Sequence, residues 1–168
     1  METPRIYFDM DGVLADFTRG VKELCGMNPP EQGKFGPDED AEMWKKIRGT
    51  DHFYDRLELM PGAKEMFGTV YGKYGDRCEI LTGIPKPDKG VETAAEDKQA
   101  WMKRMLSDTV KVNICYRAQK IGKCEGESCI LIDDYRKNID EWTKAGGTGI
   151  LFVSAEKTME ELRRLGVL

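Results

Sequence analysis

The 168-residue chain is 40% hydrophobic and 33% charged, with a net charge of −4 and a pI near 5.2. This is the composition of one globular domain with an ordinary core, and the acidic balance argues against a general nucleic-acid surface, which needs a basic patch. No apolar run approaches the roughly 18–20 residues of a membrane span. The five cysteines (Cys25, Cys78, Cys115, Cys124, Cys129) are odd in number and scattered, unlike a secreted disulfide framework. Met1 also leads straight into the first strand, leaving no room for a signal peptide, so a cytoplasmic location is expected. Cys124 and Cys129 could be half a zinc site, but no second pair at ligand spacing accompanies them.

In chain order, the first predicted strand is 4–9, and it runs into Asp9-Met10-Asp11-Gly12. Two carboxylates so close repel unless a cation or a proton lies between them. An Asp-Gly hairpin is the bland alternative. Against it, Phe17, Val21 and Leu24 recur at helical spacing, so 16–25 reads as a helix rather than a returning strand. A calcium loop also begins D-x-D but needs an oxygen ligand at its fifth position and Glu at its twelfth, where this chain has Val13 and Gly20.

After helix 16–25 come a Pro/Gly-rich turn region (Asn28-Pro29-Pro30, Gly33, Gly36-Pro37) and a second helix at 38–48. A parallel crossover needs only a dozen or more residues, and the helix predicted at 62–74 supplies it. Residues 16–60 are therefore surplus to the sheet and read as a small helical cap, with 1–15 and 61–168 forming the core. Strand 77–82 ends at Thr82-Gly83, and Pro85, Pro87 and Gly90 then mark a substrate-side loop. Helix 94–106 carries Lys98 and turns Ala94, Trp101 and Met105 inward; strand 111–115 follows. Strand 129–133 ends in Asp133-Asp134, and either acid could cap the helix expected at 135–145, Asp134 in particular. A strand at 148–153 and a helix entered through a Thr158…Glu161 capping box and ending at Gly166 close the chain. Five strands separated by helices predict an α/β fold with a doubly wound parallel sheet, which builds its site at the strand ends.

Asp-x-Asp-Gly-Val at Asp9–Val13, strand-ending Thr82, Lys98 and strand-ending Asp133-Asp134 stand in the order of four motifs. Together they resemble the haloacid dehalogenase (HAD) superfamily. The resemblance implies a five-stranded sheet of order 5-4-1-2-3, which brings Asp9, Asp11, Asp133 and Asp134 together. Unit charges about 4 Å apart repel by roughly 4 kcal/mol at an effective dielectric near 20, so a divalent cation is expected, and an all-oxygen site suits Mg²⁺. The resemblance further implies Asp9 as nucleophile and Asp11 as general acid and base. Asp9 and Asp133 would bind Mg²⁺ directly, Asp11 through its backbone carbonyl and Asp134 mainly through a metal-bound water. Thr82 and the Gly83 amide would hold a phosphoryl oxygen, and Lys98, with Lys103 and Lys89 as rivals, would neutralise transition-state charge.

A narrower resemblance is to the 5′(3′)-deoxyribonucleotidases. It rests on Asp9-Met10-Asp11-Gly12-Val13-Leu14-Ala15-Asp16-Phe17, on His52-Phe53-Tyr54-Asp55 before Leu59-Met60-Pro61-Gly62-Ala63, on Glu96-Asp97-Lys98-Gln99-Ala100-Trp101 and on Ile132-Asp133-Asp134. It implies Phe17 as a base-pocket aromatic, with Trp44 and Phe53 as companions or simply as the core of the cap. Arg117, in Tyr116-Arg117-Ala118-Gln119-Lys120, matches a phosphate-proximal arginine although the family's Asp is replaced there. The second motif, Leu-Thr-Gly, and the longer loop after it also depart from the family pattern.

The expected activity is Mg²⁺-dependent hydrolysis of a small phosphomonoester, with (deoxy)nucleoside monophosphates leading and sugar phosphates as the alternative. No nucleic-acid polymer or membrane partner is expected; a homodimer is left open. A non-catalytic phospho-switch such as a receiver domain would use similar residues, but receivers carry adjacent acids after strand one and their acceptor Asp after strand three.

Overall fold

The computed structural model describes residues 2–29, 31, 34 and 36–168. Pro30 and Gly33 of the expected turn region lie outside them. The core strands are β1 (Arg5–Phe8), β2 (Cys78–Gly83), β3 (Val112–Cys115), β4 (Cys129–Asp133) and β5 (Thr148–Leu151). All pair in parallel in the order β3-β2-β1-β4-β5, the expected order read from the other edge. β1 is central, Phe8 pairing with Ile80 on one side and Ile132 on the other.

Strands covered on both faces read as largely apolar runs, and the inner strands β1 and β4 do. Ile6, Phe8, Ile80, Ile130, Ile132 and Ile150 face a core closed by α3 (Ala63–Tyr74), α4 (Ala94–Met105) and α6 (Ala155–Arg164). Tyr7, Leu81 and Leu131 face the other way, onto Ile139 and Trp142 of α5 (Arg136–Lys144). Each fully buried Ile or Phe contributes about 1.5–3 kcal/mol, so the central strands are fixed by burial on both sides. The entrance of α6 differs from expectation: Ser154 caps it, its hydroxyl accepting from the Lys157 amide at 3.2 Å. Thr158 sits inside the helix, buried, with no hydroxyl partner among the described residues.

The chain leaves the sheet after β1 and returns beside its own exit. The Asp16 amide donates to Glu58 O and the Met60 amide to Leu14 O, both at 2.8 Å. Between them lie α1 (Phe17–Cys25), α2 (Pro37–Arg48) and a short turn of helix, Phe53–Arg56. Asp16 caps α1 by accepting from the Arg19 amide, and Pro37 starts α2 where its missing N–H costs nothing. The return side is fastened to α4 by three of that helix's side chains. His52 Nδ1 lies 2.8 Å from Asp97 Oδ1, Trp101 Nε1 donates to Leu57 O at 2.8 Å, and Arg104 pairs with Asp55. Among the described residues no helix is long and apolar enough to cross a membrane.

Candidate active site

Asp9 directly follows β1, its amide bonded to Ile132 O at 2.9 Å, and is only 7% exposed. Gly12 then turns the chain at φ 79°, and a side chain there would strike Asp134: a Cβ would lie 2.1 Å from its Oδ2. The glycine of the first motif is thus needed twice, for its backbone angle and for room beside an acid from β4. Asp133 is fully buried; its Oδ1 accepts from the Tyr135 amide at 2.9 Å and its Oδ2 from Asn138 Nδ2 at 3.0 Å. Asp133, not Asp134, therefore makes the hydrogen bond at the entrance of α5.

Two lysines hold three of the four acids between them, Asp134 being bonded by neither. Lys120, in the helical turn Arg117–Lys123 after β3, donates to Asp9 Oδ1 and Asp133 Oδ2, both at 2.8 Å. Lys98, fully buried on α4, donates to Asp11 Oδ2 at 2.7 Å, Thr82 Oγ1 at 2.9 Å and the Gly83 carbonyl at 2.7 Å. Those three bonds use all its protons, and its Nζ lies 4.6 Å from the centroid of the Tyr54 ring. Lys98, expected to neutralise transition-state charge, lies against Asp11 and Thr82. The lysine on Asp9 is Lys120, which the sequence reading passed over within Tyr116–Lys120.

Burial, then the charge of Asp133, pushes the Asp9 carboxyl well above the usual carboxylate range. Burial, then the charges of Asp9 and Asp133, does the same to Asp134. Burial alone would lower Lys120, but attraction to Asp9 and Asp133 outweighs it and holds the ammonium above its ordinary value. Two ammoniums offset two of the four negative charges. Asp9, Asp133 and Asp134 each bring a carboxylate oxygen within 4.8 Å of the others, and buried Asp11 Oδ1 has no partner among the described residues. A hard, all-oxygen donor set with uncompensated negative charge fits Mg²⁺.

A cavity of about 360 Å³ runs from these acids to the inserted helices. Phe17, Met43, Trp44 and Tyr54 form one wall, Ile84 and Pro85 another, and Arg117 flanks the acids. Arg117 is steadied by Asn138 Oδ1 at 2.9 Å and Glu141 Oε2 at 3.1 Å. Phe53, expected in the pocket, is instead buried behind it, edge-on to Phe17 at 5.7 Å between centroids; its neighbour Tyr54 takes the wall position. Thr82 is also wholly buried, facing Lys98, while Gly83 reaches the cavity.

Over residues 3–165 the sequence matches the profile of the family described as 5′ nucleotidase, deoxy (pyrimidine), cytosolic type C protein. The chain belongs to this family. It is thus a phosphoric monoester hydrolase of the HAD superfamily. None of the curated proteins compared matches it significantly. Among solved structures it is similar in fold to a HAD family hydrolase from Deinococcus radiodurans R1 crystallised with bound phosphate and sodium. The TM-score is 0.60 at 14% identity, covering 99% of this chain and 97% of that one. A hydrolase from Pseudomonas syringae (TM-score 0.51, 19% identity, 99% and 92% covered) has a similar fold. So does a HAD-superfamily hydrolase from Ehrlichia chaffeensis (TM-score 0.51, 12% identity, 98% of both chains). In this nucleotidase-family hydrolase Asp9, Thr82 and Asp133 stand at or within one residue of a strand end, whereas Lys120 lies five residues past β3, in a helical turn.

Proposed function

We propose that the protein is a Mg²⁺-dependent nucleotidase that hydrolyses (deoxy)nucleoside monophosphates through an aspartyl-phosphate on Asp9. The observation that carries this reading is one continuous cavity lined both by Asp9 and Lys120 and by the aromatic rings of Phe17, Trp44 and Tyr54. A phosphoryl group fits the first chemistry and a flat base the second. Family membership over residues 3–165 supports the same substrate class.

In the first step a carboxylate oxygen of Asp9 attacks phosphorus, and the bond from phosphorus to the leaving oxygen breaks as Asp11 gives that oxygen a proton. In the second, Asp11 takes a proton from water, the resulting hydroxide attacks phosphorus, and the acyl-phosphate bond breaks to regenerate Asp9 and release phosphate. Lys98 holds the Asp11 carboxylate toward Thr82, so the acid–base group keeps one orientation through both steps. Lys120 supplies the fixed positive charge beside the reacting oxygen that the sequence reading had given to Lys98. Asp9, Asp133 and Asp134 would hold Mg²⁺, with the Asp11 carbonyl contributing. When bound, the ion neutralises the crowded carboxylates and the phosphoryl oxygens.

The test is a phosphomonoester panel assayed with Mg²⁺ and with EDTA. Nucleoside monophosphates should be turned over best, with activity lost in chelator. A sugar phosphate outpacing every nucleotide overturns the substrate assignment, and full activity in EDTA overturns the metal.

A further inference from the structure

One charged side chain of the inserted helices reaches the cavity wall among the described residues: Asp40, on α2. Its neighbours on that wall, Phe17, Met43, Trp44 and Tyr54, are apolar or aromatic. A carboxylate in such a wall is costly unless it is partnered, and this one is partnered on both oxygens. Oδ1 accepts from Trp44 Nε1 at 3.1 Å and Oδ2 from Lys89 Nζ at 3.0 Å. Lys89 comes from the loop after β2, set by a tight turn in which Gly90, at φ 72°, donates to the Pro87 carbonyl at 3.1 Å. Its Nζ also lies 5.9 Å from the centroid of the Trp44 ring. The carboxylate is thereby fixed from the cap side by an indole and from the core side by an ammonium.

Fixing does not exhaust it. An ionised carboxylate accepts about four hydrogen bonds and donates none, and two are used here. Asp40 lines the cavity from an inserted helix, whereas the acids that would meet the phosphate come from the ends of β1 and β4, so the remaining capacity is placed to meet the leaving group. We propose that Asp40, oriented by Trp44 and Lys89, is the specificity residue of this hydrolase. It accepts a hydrogen bond from an N–H on the base of a nucleoside monophosphate and so favours that substrate over a phosphate whose alcohol carries no base. Every nucleobase edge offers such an N–H, whereas a bare pentose phosphate has only hydroxyls close to the phosphoryl end. A site built to pair with a donor discriminates against analogues lacking it more strongly than an apolar wall can, because its own polar group is then left unpaired. The proposal rests on the nucleotidase reading above.

The experiment measures kcat/KM of the wild type, Asp40→Ala and Asp40→Asn on the four deoxynucleoside 5′-monophosphates and on 2-deoxyribose 5-phosphate. For the best nucleotide, Asp40→Ala should lower the ratio of the two values by about 10- to 100-fold, the scale of one charge-assisted hydrogen bond. Asp40→Asn, which keeps an acceptor for Trp44 at unchanged volume, should lower it by less, and it stands in if the alanine variant does not fold. An unchanged ratio in the variants, whether both substrates suffer equally or neither does, overturns the role of Asp40 and leaves the nucleotidase reading intact. A wild type that hydrolyses deoxyribose phosphate but no nucleotide overturns that reading and the proposal together.

Discussion

Lys120 and Asp9, 111 residues apart in sequence, meet at 2.8 Å inside the protein, and the same ammonium also holds Asp133. One cation thus ties the ends of β1 and β4, the two strands whose carboxylates most need separating. Lys98 does the corresponding work for Asp11 and the end of β2.

The two lysines should therefore fail differently. Lys120→Met leaves Asp9 and Asp133 buried without their cation, which costs about 3–5 kcal/mol when one partner of a buried pair is removed. It should lower both turnover and the denaturation midpoint. Lys98→Met removes charge beside Asp11, whose side chain is 25% exposed and can rehydrate, so turnover should fall with a smaller loss of stability. Urea unfolding and single-turnover kinetics on both variants check this; equal stability losses would contradict it.

The roles of the first two acids separate by leaving group. Asp9→Asn should abolish both turnover and phosphoenzyme. Asp11→Asn should retain more activity on an aryl phosphate than on a nucleotide, since a good leaving group needs little proton donation. Near wild-type turnover in Asp9→Asn would reassign the nucleophile.

The acids also predict how stability depends on pH and metal. Folding raises the Asp9 and Asp134 carboxyls from 3.8 to about 7 and about 9. A group raised on folding contributes stability that is fully present below its unfolded value and is lost as pH rises through the folded one. Without metal, this contribution is therefore present below pH 3.8 and disappears on the way to about pH 9. Mg²⁺ binds the deprotonated forms, so its stabilisation should grow as pH rises. The Mg²⁺-induced rise in Tm should be larger at about pH 8 than at about pH 5. A constant increment between those values would rule out these carboxylates as the metal site.

Trp101 offers a test away from the reacting atoms. It is fully buried, and its Nε1 donates to the Leu57 carbonyl. Trp101→Phe keeps an aromatic ring but leaves that carbonyl unpaired, at a cost of about 1–3 kcal/mol plus whatever cavity remains. Thermal denaturation should show a clear fall in Tm.

Much of this was legible in the chain because parallel strands buried on both faces announce themselves as apolar runs, and their ends locate Asp9, Thr82 and Asp133 without further information. Lys120 was harder to see. It follows the edge strand β3, whose Val112-Asn113-Ile114-Cys115 is only half-buried and gives a weaker pattern, and it sits in a helical turn with no periodicity to mark it. Lys98 lies on a regular helix and drew the role because Glu96-Asp97-Lys98-Gln99-Ala100-Trp101 resembles a family motif. Phe53 and Tyr54 are adjacent aromatics that both pack against Phe17, and no local pattern encodes which of them lines the cavity. Thr158 has a Glu three residues after it, the spacing of a capping box, but burial of its face places it one turn inside the helix, which Ser154 caps.

The grip of three α4 side chains on residues 52–57 has a mechanical consequence. The helix that carries Lys98 into the reaction centre is also the keel on which the inserted segment is mounted, through Asp97, Trp101 and Arg104. Asp97 and Lys98 are consecutive, so one turn of helix grips His52 outside and Asp11 inside. Any displacement of that turn is transmitted in both directions at once: residues 52–57 beside the cavity and the Asp11 carboxylate keep a common alignment.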